Sequence, residues 1–239
     1  VIGLDYAINA AITTEAAVRL LIMNEIALDG YWSSKQAENL LNAILSASIT
    51  ELLRIIDFIE PQRRIDSSTL PQFGTLETVI RVPDVLVSTG LDGLSYAQLG
   101  FYLKGDISAK QLANAKYGET HGKGACQLGL TESKKNKIHF GALTSAFYSI
   151  ADINTKLVIV RKLCFRIPII QALLNSARYG KVNGYSLMTH LEKSTQIRRA
   201  ICAKMILREL ETFQDPELSR RIRNVSWELE KEVTPCVKV

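Results

Sequence analysis

Apolar residues recur at helical spacing along most of this chain, in stretches separated by short polar or Gly/Pro segments. The pattern predicts a helix over residues 14–28, ending before Asp29-Gly30, and a second helix capped by Ser33 or Ser34 that reaches Leu45. A third covers residues 48–59 and stops at Pro61. Together these form an expected N-terminal helical unit over residues 1–62. The polar stretch 63–75, with Pro71 and Gly74, reads as a linker in which Arg63 and Arg64 are placed to touch phosphate.

Beyond the linker the elements fall into a recognisable order. A helix is predicted over residues 76–88, and another over 94–103 with a serine N-cap and Gly105-Asp106 at its end. The helix running through Lys116 and Gln127 follows. Two short strands come next, 130–133 and 137–141, separated by the polar Lys134-Lys-Asn136. Three helices and a hairpin in this order describe a winged-helix domain, expected over residues 76–150, in which the third helix enters the major groove and the hairpin rests on the backbone.

A second copy of the order is expected over residues 154–236. It comprises the apolar stretch 156–177 interrupted by Pro168, a loop over 178–184, a short helix over 185–191, and a long helix over 195–210 with Ser194 as its N-cap. Residues 219–230 supply either a wing strand or one more surface helix. The fold class is therefore mainly α with small β-hairpins: an N-terminal helical unit followed by two winged-helix (helix-turn-helix) domains.

The helix through residue 120 sorts into two unlike sides. Lys116, Thr120, Lys123 and Gln127 share one, and Ala115, Gly118, Gly122, Ala125 and Gly129 share the other. Glycine costs roughly 0.8–1 kcal/mol against alanine inside a helix, so a glycine stripe predicts close approach of another backbone. The opposite side then faces outward, where lysines meet phosphates and an amide pairs with adenine. The commoner explanation of such a pattern is a packed core helix with a solvated lysine face. In the second long helix, Ser194, Thr195, Gln196, Arg198 and Arg199 crowd the first turns, as expected of a helix entering a groove by its N-terminus; an ordinary buried helix with a solvated start has the same gradient.

Charge is distributed unevenly. Residues 1–75 carry 5 Lys+Arg against 9 Asp+Glu, whereas residues 76–239 carry 24 against 15, so the basic balance lies with the predicted helix-turn-helix units. Cys126, Cys164, Cys202 and Cys236 form no Cys-x-x-Cys pair, which fits reduced thiols and a cytoplasmic location. No apolar run is long enough to cross a bilayer, and no membrane partner is expected. The chain begins at Val1 without methionine, which suggests a piece of a longer protein.

Gly100-Phe-Tyr-Leu103, Lys116-Tyr-Gly-Glu119, His121-Gly-Lys123, Leu128-Gly-Leu130, Leu143-Thr144 and Phe147 together resemble winged-helix domains of bacterial restriction endonucleases and related defence proteins. Phe165-Arg-Ile-Pro-Ile-Ile170 and Ser194-Thr-x-x-Arg-Arg-Ala200 resemble the companion second module, with Met205 standing where an aromatic residue belongs. The likeness covers residues 76–210. It implies sequence-specific recognition of double-stranded DNA by tandem winged helices, as the target-recognition part of a type II restriction endonuclease whose cleavage domain is separate or lies outside this chain. Homodimerisation and association with that cleavage domain are the further partners it allows.

The DNA-contacting set is expected to be Lys116, Thr120, Lys123 and Gln127, the hairpin lysines Lys134, Lys135 and Lys137, and Ser194, Thr195, Gln196, Arg198 and Arg199. Binding of this kind needs no cofactor. One alternative is an intact small endonuclease, which would require Mg²⁺ held by carboxylates; Asp106, Glu132 and Lys134 are the weak candidates, from a Glu-x-Lys spacing that is common by chance. The other is a winged-helix regulator or protein-interaction module. His121, His139 and His190 are too dispersed for a metal motif, and no phosphate loop or dinucleotide-binding glycine pattern is present.

Overall fold

The computed structural model describes residues 14–25, 28, 33–60, 64–91, 93–105 and 111–229. It is mainly helical with small sheets. The first three helices are α1 (Thr14–Ile22), α2 (Ser34–Ser46) and α3 (Ile49–Asp57). Local chemistry starts two of them: Ser33 and Gln36 form a reciprocal capping box before α2, and Ser48 and Glu51 do the same before α3. The predicted first helix extends past Ile22, whereas α1 ends there and Asn24 follows with φ 58°.

Next come α4 (Leu76–Thr89), β1 (Leu94–Ser95), α5 (Tyr96–Lys104), α6 (Gln111–Gln127), β2 (Thr131–Lys134) and β3 (Lys137–Phe140). Ser95 caps α5 with Gln98 in a third capping box, and Gly105 ends it at φ 65°, a left-handed conformation that glycine adopts without penalty. The hairpin β2–β3 turns through Lys135 (φ 50°) and Asn136 (φ 59°), two left-handed residues that make a primed two-residue turn. Leu94 and Ser95, expected at the start of a helix, instead pair antiparallel with Ile138 and Lys137, giving the sheet order β1-β3-β2. Thr144, fully buried, holds the base of the hairpin: its Oγ1 donates to the Leu130 carbonyl at 2.6 Å and accepts the Gly141 N–H at 2.8 Å.

The remaining elements are α7 (Thr144–Tyr148), α8 (Ile153–Leu163), a 3-10 turn at Cys164–Arg166, α9 (Pro168–Ser176), β4 (Val182–Asn183), a 3-10 turn at Gly184–Met188, α10 (Lys193–Glu211), α11 (Pro216–Arg223) and β5 (Val225–Ser226). Here the structure departs from the expected second winged helix. Strands β4 and β5 pair in parallel, and parallel neighbours need a crossover, here α10 and α11, where a wing needs a tight hairpin. Residues 219–230 hold both the end of a surface helix and a two-residue strand, and the short helix expected over 185–191 is a 3-10 turn.

The predicted linker is part of the core. Ile65, Leu70 and Phe73 are fully buried, in one continuous cluster with residues from Val18 to Leu218. The N-terminal helices are tied into this core by polar side chains from the far end of the chain. Helix C-termini leave carbonyls without intrahelical partners, and buried ones must be satisfied. Gln171 Nε2 donates to the Ile22 carbonyl at the end of α1 (2.9 Å), and Lys162 Nζ to the Leu45 and Ala47 carbonyls at the end of α2 (2.5 and 2.6 Å). Asn175 Nδ2 reaches the Ile56 and Ile59 carbonyls at the end of α3, each at 2.8 Å. Burial holds the Lys162 ammonium below its ordinary pKa, with Glu51 opposing. The stretch read as a linker from its polar composition thus packs, over its described residues 64–75, into the same core as the helices on either side of it.

Candidate nucleic-acid interface

Helix α6 lies against α5 with the two backbones in contact. A Cβ added at Gly100 would stand 1.8 Å from the Asn114 carbonyl oxygen, and one at Gly118 2.0 Å from that of Tyr96. At Gly122 it would meet Ile138 Cγ1 at 2.6 Å, and at Gly124 the Phe73 ring at 2.5 Å. Gly118 and Gly122 of the stripe thus face α5 and the sheet, and Gly124, which lies outside the stripe, faces the supposed linker. Lys116 is left exposed, with Thr120 and Lys123 half-buried beside it.

Gln127 does not join that open side. It is half-buried, and its Nε2 donates to the Thr69 carbonyl at 3.1 Å, so its amide holds residues 64–75 against α6 and presents no paired edge to a base. In its place the open side carries Glu119, which the sequence reading passed over. Its carboxylate accepts from Lys116 Nζ at 3.1 Å and from Lys123 Nζ at 2.8 Å, the i,i+3 and i,i+4 contacts that helix geometry brings together. The Lys123 and Lys116 hydrogen bonds hold Glu119 below its ordinary pKa. Lys123 also stands 5.9 Å from the centre of the Tyr96 ring, and Tyr96 Oη lies 3.3 Å from Ser133 Oγ on β2, so the polar side of α6 continues onto the hairpin.

At the hairpin, Lys134, Lys135 and Lys137 are all exposed. Lys134 Nζ is paired with Glu132 Oε2 at 2.6 Å. The Glu-x-Lys spacing therefore forms an ion pair along the edge of β2; Asp106 lies outside the described residues. Among the described residues no group of three or more His, Cys, Asp or Glu side chains is arranged to hold a metal ion.

The start of α10 carries the second predicted set. Ser194 is not its N-cap: Glu192 stands there without a side-chain capping bond, and Ser194 is an exposed residue of the first turn. Gln196 Nε2 donates to the Leu191 carbonyl at 2.7 Å, closing the turn before the helix. Arg198 is exposed and reaches Thr195 Oγ1 at 3.3 Å, whereas Arg199 is half-buried with its Nε enclosed and unpaired. Burial holds the Arg199 guanidinium below its ordinary pKa, with Cys202 and then Glu119 opposing.

His121 belongs to the packing, not to the open side. It is buried against the Tyr117 ring, 4.2 Å between centres, with Nδ1 2.9 Å from the Tyr117 carbonyl oxygen. Burial holds its pKa below 6.5. An unfolded chain then binds this proton more readily than the folded one, so stability falls as pH drops below 6.5 through the folded value. Urea midpoints measured between pH 7.5 and 5 are expected to decline less steeply for a His121→Gln variant; equal slopes would contradict the neutral, buried assignment.

Burial also pushes the Cys126 thiol up to about 11, with its hydrogen bond to Thr131 opposing, so it is protonated at neutral pH. No single described helix is long and apolar enough to cross a membrane. No family model, curated protein or solved structure matches this chain.

Proposed function

We propose that residues 76–150 form a winged helix that binds double-stranded DNA, with α6 in the major groove, the β2–β3 hairpin on the backbone, and the start of α10 adding Arg198. The observation that carries this reading is the element order α4, β1, α5, α6, β2, β3 with sheet order β1-β3-β2, which leaves α6 polar side outward beside a hairpin bearing three lysines. The basic balance after residue 75 supports it through counterion release. On the sequence resemblance, we read such a unit as the target-recognition part of a restriction endonuclease or related defence protein.

Fluorescence anisotropy with labelled random duplexes tests the reading. Binding is expected at low salt, with an affinity that falls steeply as salt rises. Reversing two hairpin charges, Lys135→Glu with Lys137→Glu, is expected to weaken binding to all duplexes alike by roughly tenfold or more, and to flatten the salt dependence by about two contacts. Absence of binding to any duplex, or affinity untouched by the reversal, would remove DNA recognition or the hairpin's part in it.

A further inference from the structure

We propose that Glu119 is the base-reading residue of α6, and that the DNA site contains a C·G pair whose cytosine N4 amino group donates to the Glu119 carboxylate. This inference rests on the DNA-binding reading.

Three features of the molecule lead to it. With Gln127 tied to Thr69, Glu119 is a hydrogen-bond acceptor fixed on the outward side of α6 by two lysines. Its side chain is 27% exposed, enough to be reached, and it is held from both sides by lysines that are 65% and 43% exposed. An ionised carboxylate has about four acceptor positions on two oxygens, so one lysine bond on each oxygen leaves room for an incoming donor.

The two lysines do more than orient. A bare carboxylate is repelled by the phosphates lining the groove; Lys116 and Lys123 give the cluster a net charge of +1 and let it approach. The hydrogen bonds that keep Glu119 ionised also keep it acceptor-only. That chemistry selects the base. In the major groove guanine presents acceptors and thymine an acceptor with a methyl, so both repel a carboxylate. Adenine offers its N6 donor beside the N7 acceptor, which faces the second carboxylate oxygen unfavourably; cytosine offers N4 without that neighbour.

The test uses the full chain. Random duplexes are enriched on the wild-type protein, and competition binding is then measured at one salt concentration for the selected site and its single-pair variants. A C·G pair is expected at one position, where T·A weakens wild-type binding by about 10- to 100-fold. The Glu119→Gln variant is expected to lose that cytosine preference while binding the substituted duplexes at least as tightly as wild type, because Lys116 and Lys123 are released toward phosphate. Melting and circular dichroism confirm its fold, and Glu119→Ala repeats the comparison with no amide present.

Glu119 variants that keep every base preference of the wild type, or that lose affinity equally for all duplexes while folded, would overturn the assignment. Failure of the wild type to bind any duplex would instead remove the DNA reading on which it rests.

Discussion

Alanine at Gly118 is expected to destabilise the protein by about 3 kcal/mol, lowering Tm by roughly 6–12 °C. Helix propensity alone argues the opposite, since alanine gains about 1 kcal/mol over glycine within a helix. The clash decides the sign. The new Cβ would stand 2.0 Å from the Tyr96 carbonyl oxygen and 2.6 Å from the Gly100 nitrogen, both backbone atoms that no rotamer change can move. Relief requires α5 and α6 to separate, which opens the packing around Leu99 and Leu103, both buried. Gly74→Ala is the matched control: nothing lies within 4 Å of its added Cβ, and it is expected to melt with the wild type. A Gly118→Ala protein as stable as that control would mean that the two helices are not in backbone contact. Leucine at Gly122 is expected to displace the unit altogether, because it must evict Ile138 from beneath the hairpin, while Thr120→Ala leaves the fold intact.

Removing the guanidinium of Arg221 is expected to cost about 3 kcal/mol, at the lower end of the range for breaking a buried pair. Arg221 is 3% exposed and grips Asp57 with two bonds, Nη1 to Oδ1 at 2.6 Å and Nη2 to Oδ2 at 3.0 Å. Its Nε also donates to Glu217 at 2.8 Å. In Arg221→Met the Asp57 carboxylate still has Arg178, at 3.5 Å, which softens the loss without removing it. Asp57 ends α3 and Arg221 lies on α11, so the pair closes the N-terminal helices against the C-terminal ones. Urea unfolding of Arg221→Met, Asp57→Asn and the double variant is expected to show the double variant less destabilised than the sum of the singles. Additive effects would show that the two residues act independently.

Both expectations concern contacts of different legibility. The glycine stripe of α6 is visible in the sequence because helical phase is local: Gly118 and Gly122 fall on one side whatever they pack against. Capping is local too. Ser33, Ser48 and Ser95 each find a Gln or Glu three residues on, and the helices begin where those boxes stand. The hairpin was legible from its two alternating runs, although Lys135 and Asn136 are not the glycine-bearing pair that such a turn favours.

What failed in the sequence reading depended on distant partners. Gln127 has the phase of an outward residue, yet its hydrogen-bond acceptor is Thr69, 58 positions away. Residues 64–75 have the composition of a linker, and nothing local reveals that Phe73 lies beneath Gly124. The paired strands β4 and β5 are two residues each, too short for any periodicity, and their parallel pairing exists only because α10 and α11 bring Val225 beside Val182. Glu119 is the instructive case for the candidate interface. Its spacing from Lys116 and Lys123 is present in the sequence as an i,i+3 and i,i+4 pattern, but that it is a lysine-bridged acid on the open side, in place of Gln127, depends on the distant contact of Gln127 with Thr69.

The sequence by itself determined where α2, α3 and α5 start, which side of α6 carries its glycines Gly118 and Gly122, and that the basic balance lies after residue 75, since each follows from neighbours within a turn or two or from simple counting. Tertiary structure alone decided that the acidic N-terminal helices share one core with the basic remainder. Their carbonyl ends are satisfied by Gln171, Lys162 and Asn175, across separations of 115 to 149 residues, because a buried carbonyl takes whichever donor the fold delivers to it, and no local pattern records that choice.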